Sequence, residues 1–149
     1  MKGSKILLVD DEKIFADNMA KLLEGRHYKV KAVYDGESAI EALQDESFDV
    51  IILDLKMPGM DGLSTLREIK RLDIFTETLL LTGHGSIDAA VDALRLGAYD
   101  FLTKPCDIDQ LVGKIEGAWQ KKDEAWKKDM DEKIKLLVES PSSVFQLFD

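Results

Sequence analysis

The chain alternates short apolar runs with longer stretches that repeat at helical spacing. Three of the runs cover residues 6–9, 50–53 and 79–82, and their lengths suit strands buried on both faces of a parallel sheet. The apolar runs alone do not exclude short buried helices, but regular alternation with helical stretches favours βαβ units. A weaker, alternating strand at residues 28–33 is typical of a sheet edge. The pattern predicts an α/β fold with five parallel strands and five helices.

Polar residues follow the predicted strands at the points where the strands end. Asp10 and Asp11 come after the first strand, Asp54 after the third, Thr82 ends the fourth, and Lys104 lies at the end of the last. In open parallel sheets the ligand crevice lies outside the carboxyl ends of the strands. We therefore expect these five side chains to face one crevice.

Three carboxylates in one crevice repel one another, by about 4 kcal/mol for each pair at about 4 Å and an effective dielectric constant near 20. A divalent cation with oxygen ligands would neutralise them, and Mg²⁺ suits an open site that keeps waters and a phosphate oxygen. An aspartate flanked by Mg²⁺, an ammonium group and a hydroxyl can attack phosphorus and be held as an acyl phosphate. Each segment alone is explained as well by a turn, a helix cap or a solvated lysine. Their combination favours a functional site.

A family resemblance is carried by four segments. They read ILLVDDE at residues 6–12, VIILDLKMPGMDG at 50–62, LLLTGHG at 79–85 and GAYDFLTKP at 97–105. Together they resemble the receiver domain of two-component response regulators, and the third and fourth are most similar to receivers attached to AAA+ transcription activators. The resemblance implies a flavodoxin-like fold with strand order 2-1-3-4-5. It also implies a signalling switch that takes a phosphoryl group from a phosphohistidine on a sensor histidine kinase or phosphotransfer protein.

The resemblance implies a role for each residue that would meet the phosphoryl group. Asp54 is the expected phosphoacceptor, and Thr82 and Lys104 are expected to contact phosphoryl oxygens. Thr82 and Phe101 would form the switch, since Phe101 matches the aromatic position of the last strand. Tyr99 is the competing aromatic, because a spacing of two residues would put it on the same strand face.

The metal ligands are likewise implied by the resemblance. Asp11 would bind Mg²⁺ directly and Asp10 mainly through water, while Asp54 and the backbone carbonyl of Lys56 would complete the protein ligands. Lys104-Pro105 resembles the family's cis peptide. A turn is predicted at residues 57–62, and Gly83 is expected to leave the approach to the phosphoryl group open.

Composition limits the partners and the location. The formal net charge of −9 argues against direct nucleic-acid binding by this chain, because phosphate binding needs a basic surface. The single cysteine, Cys106, cannot form an internal disulfide, and no secretory or transmembrane segment stands out. We expect a soluble, cytoplasmic protein with no membrane partner.

The segment after the receiver-like part continues at helical spacing. We assign residues 1–121 to a receiver domain and residues 122–149 to a helical extension with a short tail. The last helix is expected to reach about Glu139, before Pro141. Its apolar positions predict contact with a second copy or a partner, and the alternatives are a helix folded back on the receiver or one frayed in solution. A stand-alone receiver and the front of a longer regulator both fit.

Three classes of function remain for such a site. The leading hypothesis is a phosphorylation-dependent switch that is not an enzyme beyond its own phosphorylation and dephosphorylation. A phosphohydrolase would use Asp54 as its nucleophile, but Lys56 occupies the position where one such phosphatase family carries an aspartate. An inert interaction module is the third class, and the complete set of site residues argues against it.

Overall fold

The computed structural model describes residues 4–56, 61–73, 75–83 and 87–139. Five strands and five helices alternate along them, as the sequence predicts. The elements are β1 (Lys5–Val9), α1 (Lys13–Glu24), β2 (Lys29–Val33), α2 (Gly36–Asp45), β3 (Val50–Leu53), α3 (Gly62–Leu72), β4 (Glu77–Thr82), α4 (Ile87–Arg95), β5 (Asp100–Thr103) and α5 (Ile108–Glu139).

All strand pairs are parallel, and the sheet order is β2-β1-β3-β4-β5. This confirms the expected flavodoxin-like fold. Two neighbouring pairs of strands end in register, with Val9 beside Leu53 and Thr82 beside Thr103, whereas β4 runs two residues past Leu80, the partner of Leu53. One residue further, the amide of Asp54 donates to the Val9 carbonyl at 2.9 Å, and the amide of Lys104 donates to the Thr82 carbonyl at 2.8 Å. The site residues therefore begin where the sheet ends.

The sheet is covered on both faces, which explains why its central strands are apolar throughout. Along β1, Leu7 and Val9 pack into one core with residues of α2, α3 and α4. Ile6 and Leu8 pack into the other core with residues of α1 and α5. Alternate side chains point to opposite faces of a strand, so a strand buried on both faces needs apolar residues at every position.

Two helices begin at aspartates that cap them. The side chain of Asp35 accepts a hydrogen bond from the amide of Ser38 at 2.7 Å, and Asp61 accepts one from the amide of Ser64 at 2.8 Å. Each carboxylate satisfies one of the free amides in the first turn of its helix and lies at the positive end of the helix dipole. These caps fix where α2 and α3 start behind the sheet.

Helix α5 is far longer than the other helices. Its first part is anchored by Leu111, Ile115 and Ala118, which are fully buried against the sheet. Two lysines near its middle extend to the edge of the sheet that lies opposite the site. Lys121 and Lys122 pair there with Glu77 and Asp49, at 3.5 and 3.4 Å.

Beyond Asp123 the helix carries mostly exposed side chains, and Trp126 retains 48% of its surface. The helix spans Ile108–Glu139, which confirms its predicted course to Glu139. Pro141 and the tail lie outside the described residues, as do residues 57–60 of the predicted turn. Within the described ranges, no helix is both long and apolar enough to cross a membrane.

Candidate functional site

Polar side chains are buried at the carboxyl edge of the sheet. Asp10 and Asp54 expose only 1% and 4% of their surfaces, and Thr82 exposes 1%. Burying a charged group is costly unless it is paired and hydrogen-bonded, so such a cluster is not explained by solubility or by a solvated turn. The structure brings these three residues together, as the strand ends predict.

The ammonium group of Lys104 forms ion pairs with three acidic residues of the site. The Nζ atom of Lys104 lies 2.6 Å from an oxygen of Asp10, 3.3 Å from Oδ2 of Asp54 and 3.4 Å from an oxygen of Glu12. Its side chain exposes 11% of its surface, and it reaches the carboxylates from the end of β5. The peptide bond between Lys104 and Pro105 is cis, as expected.

Both oxygens of the Asp54 carboxylate have donors. Oδ1 accepts a hydrogen bond from the backbone amide of Lys56 at 3.0 Å and from the hydroxyl of Thr82 at 3.3 Å. Oδ2 faces the ammonium of Lys104. These donors hold the carboxylate in one orientation. An anion joined to Asp54 would meet the same hydroxyl and ammonium.

The electrostatics of the site follow from burial and pairing. Burial raises the pKa of Asp10, and the hydrogen bonds from Lys104 and from the amide of Glu12 oppose this without cancelling it. For Lys104, burial acts to lower the pKa, but the hydrogen bond and charge of Asp10 and the charge of Asp54 outweigh it and raise the pKa. Lys104 is therefore a permanent cation at neutral pH.

Three carboxylates come close enough to share one cation. Oxygens of Asp10, Glu12 and Asp54 all lie within 4.8 Å of one another. A set of carboxylate oxygens this close together suits a hard divalent ion such as Mg²⁺, so these residues fit the metal that the sequence implies. Asp11 is exposed and lies outside this group, and its role as a direct ligand stays a prediction, as does that of the Lys56 carbonyl. Glu12 was not anticipated, although it is the third acidic residue in a row.

The two aromatic candidates for the switch lie on different sides of the sheet. Phe101 is half-buried and packs against the core of α2, α3 and α4, whereas Tyr99 packs against the core of α1 and α5. The expectation that both share one strand face is wrong, because β5 begins at Asp100 and the alternation of a strand does not extend back to Tyr99. Tyr99 instead packs against Gly117 of α5, where a Cβ atom would collide with its hydroxyl.

Two glycines border the site with different roles. Among the residues that the structure describes, a Cβ atom on Gly83 would meet nothing within 4 Å, which agrees with the expected open approach beside Thr82. A Cβ atom on Gly62 would collide with the backbone of Leu55, just after Asp54. Gly62 is thus required for the close return of the chain behind Asp54. His84 lies outside the described residues.

Comparison with known sequences points to one family. A family model described as the response regulator receiver domain matches residues 6–116. The chain is 39% identical over 113 residues to the transcriptional regulatory protein ZraR of Escherichia coli (strain K12), covering 76% of this chain and 26% of ZraR. It is 36% identical to the transcriptional regulatory protein FixJ of Bradyrhizobium diazoefficiens, over 76% of this chain and 55% of FixJ. The chain thus spans about a quarter of the length of ZraR and about half that of FixJ.

Solved structures give the same result. NtrX from Brucella abortus matches with a TM-score of 0.82 and 33% identity, covering 88% of this chain and 30% of that chain. A response regulator receiver domain protein from Clostridium thermocellum matches with a TM-score of 0.77 and 34% identity, covering 80% of this chain and 97% of that chain. The similarity to this second structure therefore extends over nearly the whole of an isolated domain.

Proposed function

Since this chain belongs to the response regulator receiver domain family, we propose that it is a phosphorylation-dependent signalling switch with Asp54 as its phosphoacceptor. The proposal rests on one observation. The buried Asp54 carboxylate meets a hydroxyl, a backbone amide and an ammonium group at a crevice edge where two further carboxylates converge. A nucleophile with fixed donors around it is what phosphoryl transfer requires.

The proposed reaction is a direct transfer from a phosphohistidine on a sensor histidine kinase or a phosphotransfer protein. An oxygen of Asp54 attacks phosphorus, a P–O bond forms, and the P–N bond to the histidine breaks. The histidine nitrogen keeps the electron pair and is protonated from water, and Asp54 becomes an acyl phosphate. Thr82 and Lys104 donate to the phosphoryl oxygens, which carry the charge as it develops.

Mg²⁺ is the proposed cofactor, and when bound it would neutralise the phosphoryl oxygens and the carboxylates together. Asp10, Asp11, Asp54 and the backbone carbonyl of Lys56 are its proposed ligands, and the position of Glu12 makes it a further candidate. The carboxylates of Asp10 and Glu12 lie beside Asp54, and a cation bound there would offset their repulsion of an approaching phosphoryl group.

The signal would pass from the acyl phosphate to the surface through Thr82 and Phe101. Phosphorylation adds about −1.5 to −2 charges at neutral pH. Thr82 lies against Asp54 at the end of β4, and Phe101 lies beside Leu80 in the register of β4 and β5. A shift of the Thr82 hydroxyl towards the phosphoryl group would change the packing against which Phe101 rests. The chain would act by this change in shape and would catalyse only its own phosphorylation and dephosphorylation.

The proposed output element is the extension after the receiver domain. Apolar residues recur at helical spacing from Ile115 and Trp119 of the receiver into the extension. Those of the extension, Trp126, Met130, Ile134 and Leu137, are called the apolar stripe below. We assign the stripe to contact with a second copy or with an output partner, in a cytoplasmic regulator. An AAA+ activator domain following this chain is the output that its resemblance favours. Direct contact with nucleic acid is assigned to such a partner domain, because this chain is acidic.

The test is intact-mass analysis after incubation with Mg²⁺ and acetyl phosphate. We expect one added phosphoryl group in the wild type and in Asp45→Asn, which removes an exposed carboxylate on α2 away from the site, and none in Asp54→Asn. A folded, Mg²⁺-loaded protein that gains no phosphoryl group would be an inert interaction module instead. Sustained release of phosphate over many turnovers would identify a phosphohydrolase.

A further inference from the structure

The ammonium of Lys104 rests on an aromatic ring as well as among carboxylates. Its Nζ atom lies 4.4 Å from the centroid of the Phe15 ring, within the range of a cation–π contact. Phe15 is half-buried at the start of α1 and packs against the core of α1 and α5. The ring is therefore held in place independently of the lysine.

We infer that Phe15 is a positioning residue that holds the Lys104 ammonium inside the carboxylate cluster, where it competes with the divalent cation. Three contacts define this resting position, namely Asp10 at 2.6 Å, Glu12 at 3.4 Å and the Phe15 ring. All three come from residues 10–15, the connection after β1 and the first turn of α1. The ammonium thus sits towards this segment, while Asp54 lies 3.3 Å away on its other side.

Competition follows from the geometry and the charges. The ammonium already occupies the space between Asp10, Glu12 and Asp54, whose oxygens are the ones a divalent cation would use. A second cation entering this space meets a positive charge at close range, so the ammonium must withdraw from Asp10 before the new ion gains its full attraction. A contact that stabilises the resting ammonium without binding the divalent cation therefore weakens the affinity for Mg²⁺.

Replacing Phe15 tests the competition between the ammonium and Mg²⁺ without removing a metal ligand. Glu12 attracts both cations, so replacing it changes two interactions at once. The Phe15 ring has no oxygen or nitrogen donor for Mg²⁺ and contacts the ammonium directly. Its replacement by leucine keeps an apolar side chain in the core while removing the ring face, and its replacement by tyrosine keeps that face.

The inference rests on the proposed function, because it assumes that Mg²⁺ binds at this cluster. The experiment is a calorimetric Mg²⁺ titration of the wild type, Phe15→Leu and Phe15→Tyr, each with Lys104 and with Lys104→Met. With Lys104 present, we expect Phe15→Leu to bind Mg²⁺ about 2- to 20-fold more tightly. Phe15→Tyr should match the wild type. With Lys104→Met, leucine and phenylalanine should give the same dissociation constant.

The possible outcomes distinguish a failure of the inference about Phe15 from a failure of the proposed function. A Phe15→Leu affinity equal to that of the wild type, or a gain that persists in Lys104→Met, overturns the role of Phe15 while leaving Mg²⁺ binding and phosphorylation intact. Absence of Mg²⁺ binding in the wild type overturns both. If Lys104→Met does not fold, acylation of Lys104 by acetic anhydride, read by peptide mass, replaces it. Faster acylation in Phe15→Leu than in Phe15→Tyr supports the inference, and equal rates overturn it.

Discussion

Thr78 places a hydroxyl in the middle of the sheet where it has no hydrogen-bond partner among the described residues. It is fully buried in β4, opposite Ile51 of β3. A buried polar group without a partner loses its hydration and gains nothing in return. Valine has nearly the same shape as threonine without the hydroxyl, so Thr78→Val should raise the free energy of unfolding by about 1 kcal/mol.

Thr76, two residues earlier, is the matched control. It is equally buried, but its hydroxyl lies 3.1 Å from the Phe48 carbonyl and 2.6 Å from an Asp73 carboxylate oxygen. Thr76→Val removes these bonds and should lower the free energy of unfolding by about 1–3 kcal/mol. Urea denaturation at neutral pH measures the change in the free energy of unfolding for both variants. A loss of stability in Thr78→Val would show that its hydroxyl is hydrogen-bonded in solution.

Residue-level detail is also where prediction from the sequence was weakest. The structure brings Asp10, Asp54, Thr82 and Lys104 to one edge of the sheet, as the ends of parallel strands predict, whereas Asp11 is exposed and lies outside this group. The contact between Lys104 and Glu12 was not predicted, because a run of three acidic residues does not show which side chain reaches the lysine. The side of the sheet occupied by Tyr99 was predicted wrongly, because it depends on where β5 begins, and a strand boundary is poorly defined by propensity.

At the scale of single elements, the cap of α2 gives the fold a dependence on pH. The amide of Ser38 donates to the Asp35 carboxylate, and this hydrogen bond lowers the pKa of Asp35 below its ordinary value. A group whose pKa is lower in the folded state stabilises the fold above its unfolded pKa. That contribution is lost as the pH falls through the folded pKa.

Asp35→Ala should therefore lower the free energy of unfolding by about 1 kcal/mol near pH 7. The penalty should shrink below about pH 4, where the wild-type carboxyl also begins to lose its charge. Asp35→Asn is the control, because an amide oxygen can cap the helix without titrating. Urea denaturation of the three proteins at about pH 7 and about pH 3 measures the effect. An alanine penalty that is equal at both pH values would contradict it.

The elements themselves were predictable from the sequence to a large extent. Alternating apolar runs and helical stretches gave all ten elements, because buried parallel strands and amphipathic helices have different periods. The continuation of α5 to Glu139 also followed from its periodicity. What periodicity does not encode is how firmly α5 is attached, since the pairs of Lys121 and Lys122 join residues far apart in the chain.

At the scale of the whole molecule, the receiver and its extension meet within α5. The family match ends at residue 116, whereas contacts with the sheet continue to Lys122, whose ammonium lies 3.2 Å from the Phe48 carbonyl. The boundary after residue 121 stays a prediction. Within α5, the exposed large apolar side chains lie further along, at Trp126, Ile134, Leu136 and Val138. Apolar surface on an exposed helix is typical of a segment that associates.

Association through the apolar stripe predicts a change in size on activation. Fluoroberyllate imitates the phosphoryl group on Asp54, and with Mg²⁺ it should shift the wild type towards a dimer in sizing with light scattering. Trp126→Glu should remain a monomer, because a buried charge in the interface is unfavourable. Lys128→Glu, an exposed change on the opposite side of the helix, should behave as the wild type. A wild type of unchanged mass would leave docking to an output partner as the role of the stripe.

The attachment of α5 also gives the molecule a mechanical property. Glu77 and Asp49 hold the helix through Lys121 and Lys122 at the edge of the sheet opposite Asp54, while its start follows directly from Lys104 through a short connection. The mostly exposed part, residues 124–139, is about 24 Å long at about 1.5 Å per residue. A tilt of about 5° about the lysine contacts would displace its far end by about 2 Å. The extension would then act as a lever. The longer the helix, the larger the displacement that a small rearrangement at the site produces at its far end.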